Sequence, residues 1–184
     1  MRLLMITALA GLAACSAPLE RLAMAQLQSD LELRPLVSSV IVRTVVLPTY
    51  AAVEEIAFET ETGLIASSED ILWADDPQRA VTVALSRNLA DILNTDVGPD
   101  PWPFVGLPDV AVDVRVERML AGADGIFRLT GQFYVGGDGI DFRNRSQAFS
   151  VEAPMNAAGL GGIATAQAQA LLTLSEQIAR TLGR

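Results

Sequence analysis

The chain has 184 residues, 51% of them hydrophobic and 19% charged. That is one domain with a core to bury, and it excludes a disordered chain. The formal charge is −9, every basic residue is Arg, and there is no His. Such a chain lacks the dense positive charge that nucleic acid or anionic lipid rewards. It also lacks the commonest general base and zinc ligand. A single Cys excludes an intramolecular disulfide and a thiolate metal cluster.

The first element is a leader. Arg2 supplies a minimal positive start, and "LLMITALAGLA" is an apolar run of about a dozen residues, too short for a bilayer that needs about 20. It ends on small residues at Leu12-Ala13-Ala14-Cys15, which resembles the bacterial lipobox. That resemblance implies cleavage before Cys15 and acylation of its thiol and amino group. Several acyl chains on one residue anchor stably where one is marginal. Ser16, a non-Asp residue after the cysteine, implies sorting to the outer membrane. Residues 1–14 are therefore expected to be a signal peptide, residues 15–35 a lipidated tether, and residues 36–184 the folded domain. "ERLAMAQLQSDLEL" within the tether reads equally as a short strand or a frayed helix.

Along the domain, Leu36 to Pro48 is rich in Val and Ile and stops at Pro, so it reads as a buried strand. Ile56 to Ser67 alternates and reads as a second strand, with Ile56, Phe58 and Leu64 on one face and Glu59 and Glu61 on the other. "WADDPQRAVTVALSRNLADILN" predicts a helix. Asp76 is its N-cap and Pro77 its first residue. Val81, Ala84, Leu85, Leu89 and Ile92 form its apolar stripe, and Arg87 is expected to pair with Asp91. Thr95 to Pro108 has four prolines and no period, so it reads as a long loop.

"DVAVDVRVERML" alternates Val110, Val112, Val114 and Val116 against Asp113, Arg115 and Glu117. "IFRLTGQFYV" and "IDFRNRSQAFSV" follow after the turns "AGADG" and "GGDG", predicting an antiparallel three-strand meander with a bulge near Ala148–Phe149. From about Gly161 a last helix carries Ile163, Ala170, Leu171, Leu174, Ile178 and Leu182, with Glu176 and Arg180 paired outside. The expected fold is α+β: a mainly antiparallel sheet with two amphipathic helices packed on one face.

Catalytic motifs do not emerge. No G-x-S-x-G surrounds a serine and no His activates one. Glu54–Glu55, Glu59/Glu61 and Asp75–Asp76 read as wet strand faces and a helix start rather than acid pairs. "GADG", "GGDG" and "GLGG" fit turns and a helix entry, not a phosphate loop. Arg143 and Arg145 read as a solvated strand face. Trp73 and Trp102 read as packing residues, although the frame Pro101-Trp102-Pro103 also suits an exposed, pre-ordered ring. These three residues are the candidate partner contact, because the loop is longer than a minimal connection.

The order of these pieces resembles the ABC-type transport auxiliary lipoproteins, the group of paraquat-inducible protein C. The resemblance rests on the lipobox at Cys15, the strand ending "VLPTY", Trp73-Ala74 leading into "DDPQRAVTVALSRNLADIL", the Pro101-Trp102-Pro103 loop, and "VAVDVRVERMLAGADGIFRLTGQFYV". The segment Ala51 to Glu59, "AAVEEIAFE", departs from the Leu-Asp-Arg-Pro-like sequence of many relatives. The resemblance implies a non-enzymatic lipoprotein on the periplasmic face of the outer membrane, with no cofactor beyond the lipid on Cys15. It also implies work beside an MCE-domain protein and an inner-membrane permease in moving lipids or other apolar molecules. An outer-membrane assembly or pilot lipoprotein that chaperones an envelope partner stays open as the alternative. So does assembly into a homo-oligomer.

The anchor is testable directly. Cys15→Ser is expected to abolish metabolic labelling with radioactive palmitate and to leave the chain uncleaved. A processed Cys15→Ser protein still sedimenting with the outer membrane contradicts the lipobox reading.

Overall fold

The computed structural model describes residues 20–157 and 159–184, so Cys15 and Ser16 lie outside it. Its frame is the valine-alternating segment, which forms a strand over Val110–Ala121 (here β6, the sixth in chain order). Val110, Val112 and Val114 are fully buried, and Asp113, Arg115 and Glu117 face outward. β-branched residues at every second position suit a pleated face with one wet side. β7 (Ile126–Gly137) and β8 (Arg145–Pro154) complete the expected meander, each pairing antiparallel with the strand before it.

The other edge of β6 is filled by three separate stretches in succession. β2 (Ser39–Val42) pairs parallel with Val110–Val112, Val46 bridges Arg115, and β3 (Glu55–Glu59) meets β6 through Phe58 and Ala121. β4 (Ile65–Trp73) turns back antiparallel on β3, and β1 (Glu20–Leu22) runs parallel beside β4. β5 (Asp96–Pro99) runs parallel beside β2. The eight strands form one mixed sheet whose longest pairings are antiparallel. α1 (Pro77–Leu93) and α2 (Leu160–Leu182) cover its inner face and touch each other. Among the described residues no helix is long and apolar enough to cross a membrane.

α1 starts as its sequence requires. The Asp76 carboxylate accepts the Arg79 N–H at 2.8 Å and Pro77 occupies the first turn. Asn94 closes it in the left-handed conformation, its N–H donating to the Ala90 carbonyl. Val81, Leu85, Leu89 and Ile92 are buried. The Asn88 amide donates to Ser175 Oγ at 3.2 Å, fastening α1 to α2. Arg180 pairs with Glu176 at 3.6 Å. The expected Arg87–Asp91 pair does not form; the ion pair of this helix is Arg79 with Asp75, before its cap.

Several expected boundaries move. The 36–48 strand shortens to Ser39–Val42 because α1 takes over its backbone: Val45 N–H donates to Thr82 Oγ1, and Gln78 Nε2 donates to the Val45 carbonyl. The single strand at 56–67 is a hairpin. Thr60–Leu64 reverses the chain, with Gly63 at φ 78° and Leu64 exposed. The 95–108 loop opens with β5, so its first residues are sheet rather than irregular chain.

The last strand starts at Arg145, and its pairing with β7 runs without interruption past Ala148–Phe149. The bulge lies instead in β6, between Val116 and Arg118. Gly131 sits opposite it on β7, where a Cβ would collide with the Arg115 carbonyl oxygen. The tether expected over 15–35 is part of the body from residue 20. After β1 the chain straps across the helices: Leu22, Met24, Leu31 and Leu33 pack on the core, and Leu33 N–H donates to the Ile92 carbonyl. Arg34 and Arg184 exchange two backbone hydrogen bonds. With sheet below and strap above, α2 buries Ala166, Ala168 and Leu172 in addition to its predicted stripe.

This packing sets the cost of three substitutions. Leu85→Ala is expected to lose about 2–5 kcal/mol in denaturant unfolding, as for other fully buried leucines. The exposed Asp91→Asn should change stability by less than about 0.5 kcal/mol; equal losses would place the helix the wrong way round. Gly131→Ala should cost about 1–3 kcal/mol, because the facing backbone must shift.

The β6–β7 turn is pH-sensitive. The Arg128 guanidinium hydrogen-bonded to Asp124 lowers that carboxyl to about 2 from 3.8. A depressed carboxyl stabilises the fold above its unfolded value, and the gain disappears as pH falls from about 3.8 to about 2. Asp124→Asn is expected to flatten that part of the melting-temperature profile. An unchanged acid limb contradicts the assignment.

Candidate functional site

The loop that carries the candidate contact begins at the outer end of β5. Its first residues are tied down: Asp100 N–H donates to the Val42 carbonyl and Thr44 Oγ1 approaches the Asp100 carboxylate at 3.4 Å. Its far end is tied by Asp109, whose N–H donates to Ser39 Oγ at 2.9 Å. The Asp109 carboxylate accepts the Ser38 N–H at 2.7 Å. Between those anchors Pro101 and Pro103 are exposed and Trp102 is half-buried. The Asp100–Pro101 peptide is cis.

Trp102 and Pro103 fold back over Gly98 of β5. Pro103 Cδ lies 2.6 Å and the Trp102 ring 3.2 Å from where a Gly98 Cβ would stand, so only glycine admits them. The indole meets Phe104 edge-on, with centroids 4.9 Å apart at 61°. Its Nε1 is buried and has no hydrogen-bond partner among the described residues. Trp102 is thus seated at the root of the loop, with one side against the sheet edge and one side open.

The residues that reach furthest into solvent are others. Val105 is fully exposed (106%), Leu107 is 78% exposed, and Phe104 and Ile140 are 45% exposed each. Ile140 lies on the neighbouring turn after β7, where Gly139 packs closely against Leu107 and Pro108. These four were not singled out by sequence reasoning. The signal was present: "PFVGLP" places three apolar residues in a stretch with neither helix nor strand period, where no regular element can bury them. Four exposed apolar side chains on two neighbouring loops are more than the scattered single hydrophobics of an ordinary surface.

The two ends of β6 separate this loop from the start of the described chain. β5 stands by β2 at the Val110 end, whereas β1, β4 and β3 stand at the Ala121 end. The distance between those levels is on the order of 30 Å along the strand.

The other candidate residues have structural roles. Glu54 pairs with Arg21 at 2.8 Å, Glu59 with Arg118 at 2.9 Å, and Asp75 with Arg79, while Asp76 caps α1. Each of these four acids is engaged by an arginine or by the start of α1. Arg145 lies at the exposed start of β8, and Arg143 precedes that strand. Trp73 is the last residue of β4, a core residue 8% exposed whose carbonyl accepts from Arg21 at 2.9 Å. Its ring forms one wall of a cleft of about 200 Å³ between the strap and α1.

Known proteins share this frame. The crystal structure of an uncharacterized protein superposes with a TM-score of 0.70 at 22% identity, covering 88% of this chain and 99% of that one. A DUF330-family protein from Xanthomonas campestris also superposes with a TM-score of 0.70, at 14% identity, covering 87% of this chain and 93% of that one. At those identities the likeness concerns the fold alone. A search of curated proteins returns no match. The family described as ABC-type transport auxiliary lipoprotein component matches residues 21–179, from β1 to the last turn of α2. That span takes in the strap, the Trp73 corner, the Pro-Trp-Pro loop and the meander together, and the chain belongs to this family.

Proposed function

We propose that the chain is a non-enzymatic auxiliary subunit of an envelope transport system, anchored through acylated Cys15 at the periplasmic face of the outer membrane. It docks through the Pro101–Leu107 loop on an MCE-domain protein that works with an inner-membrane permease to move lipids or other apolar molecules. Family membership supports the transport-auxiliary role. The observation that carries the docking site is the patch of Phe104, Val105, Leu107 and Ile140, held out by a loop fastened at both ends. A pre-ordered loop loses little conformational entropy on binding, and apolar residues around a rim-seated aromatic ring are the usual composition of a binding centre. Trp102 serves here by shaping the loop on Gly98, and its open side contributes contact area.

The loop also lies far from the point where the anchored segment joins the sheet. A lipoprotein tethered at one end and sticky at the other bridges a membrane and a periplasmic partner.

The test separates contact from folding. Val105→Asp with Leu107→Asp is expected to leave the thermal midpoint within about 2 °C of wild type, because neither side chain packs in the core. The same variant should lose capture of the MCE-domain protein from solubilised envelopes. Normal capture by a folded double variant overturns the docking role of this loop.

A further inference from the structure

The Trp73 cleft has the chemistry of a ligand site. It lies between the strap residues Leu22–Gln26 and the first half of α1, and its wall is aliphatic: Leu22, Met24, Ala80, Val83 and Ala84. Two polar groups converge on it. Gln167 of α2 is only 4% exposed, yet its amide has no oxygen partner among the described residues; its N–H reaches only the Met24 sulfur, at 3.8 Å. A buried amide resting on so weak an acceptor is under-satisfied. Arg87 lies at the cleft and makes no ion pair among the described residues. Asp75 also reaches the cleft, but Arg79 holds its carboxylate in two hydrogen bonds. The charge left unmatched is positive, and the hydrogen-bond capacity left unmatched asks for an oxygen.

We infer that this cleft binds one acyl chain of an anionic amphiphile, with the aliphatic wall taking the methylenes, Gln167 donating to a carboxylate or ester oxygen, and Arg87 pairing with the head. Such a site rests on the transport reading and deepens it, assigning a ligand class to the domain itself. The size fits part of a single chain: an apolar cavity of about 150 Å³ holds the six carbons of a benzene ring, so the same packing in a cleft of about 200 Å³ takes about eight methylenes, and the rest of the chain extends from its open mouth. Two chains do not fit. Supply fits as well. Leu22 is seven residues beyond Cys15, a span of at most about 25 Å of extended chain, so an acylated Cys15 keeps the cleft within reach of the bilayer.

The chain has two tryptophans, which permits a site-specific readout. The mature protein carrying Trp102→Phe, held in phosphatidylethanolamine vesicles, keeps Trp73 as its one indole. Brominated stearate should quench that fluorescence saturably, and Trp73→Phe, reporting from Trp102 alone, should show no saturable quenching. Arg87→Gln should weaken the apparent affinity about tenfold, the loss of one charge-assisted contact. Ala80→Leu should abolish quenching while its circular dichroism and thermal midpoint match the parent.

A second set of vesicles containing brominated phosphatidylglycerol distinguishes a membrane lipid from a free fatty acid as the source; quenching by either supports the site. Absence of saturable quenching with both probes overturns it, as does quenching that survives Ala80→Leu. If Ala80→Leu loses capture of the MCE-domain protein and no probe quenches Trp73, the occupant is a partner side chain and the acyl-chain site is refuted. Should Cys15→Ser show that the chain is not membrane-anchored, the stearate arm still reads the cleft in solution, so the two failures remain distinguishable.

Discussion

The structure depends on satisfying both edges of β6. Its four valines bury one face completely, which places the strand at the centre of the sheet, where its N–H and C=O groups need partners along twelve residues. One edge is met by a single neighbour, β7, joined by a short turn. The other is met by β2, Val46 and β3, three pieces drawn from well before it in sequence. Because these run parallel to β6 and end beside Ala121, the chain must return to the Val110 end before β6 begins. β4, turning back on β3, and then α1 make that return.

That solution leaves the two ends of β6 unlike each other. At the Ala121 end the edge continues through β3 and β4 to β1, where the described chain begins, and the strap then passes over the helices. At the Val110 end the edge stops after β5, a short strand ending at Pro99. A proline at a sheet edge discourages further pairing, and the Pro-rich loop that follows covers β5 with Trp102 and Pro103 rather than with another strand. The two ends of the sheet thus differ in character: the described chain begins beside β4 at one, and the exposed side chains of the 101–107 loop stand at the other.

The strap has a further consequence for the helices. Ordinarily a helix over a sheet shows one buried stripe and one wet side. α2 is buried over more of its circumference because the strap lies on it, with Ser29 Oγ bonded to Glu176 at 2.6 Å. Its alanines allow that closeness. Where the strap and α1 diverge, around Met24 and Ala80, the covering is incomplete and the Trp73 cleft remains.

Much of this was legible in the sequence wherever one physical signal dominated. Period-two valines fixed the inner face of β6, the Asp76-Pro77 start and the 3.6-residue stripe fixed α1, and Gly/Asp turns fixed the meander. Those are local signals, and the local chain obeys them. The leader and Cys15 are expectations from sequence alone and lie outside the described residues. What only tertiary structure decided are the pairings and caps that involve distant partners. The strand at 36–48 ended early because Thr82 and Gln78 of a helix claimed the backbone of Val45. The bulge fell in β6 rather than β8 because Gly131, a strand away, admits the close approach. The segment at 20–35 became a strap because parallel pairing with β4 and contacts with both helices fixed it, and none of those partners is near it in sequence. For the same reason the contact patch could be placed on the Pro-Trp-Pro loop but not assigned to Phe104, Val105, Leu107 and Ile140. Which side chain of an aperiodic loop stays in water is set by what the rest of the fold has room to bury.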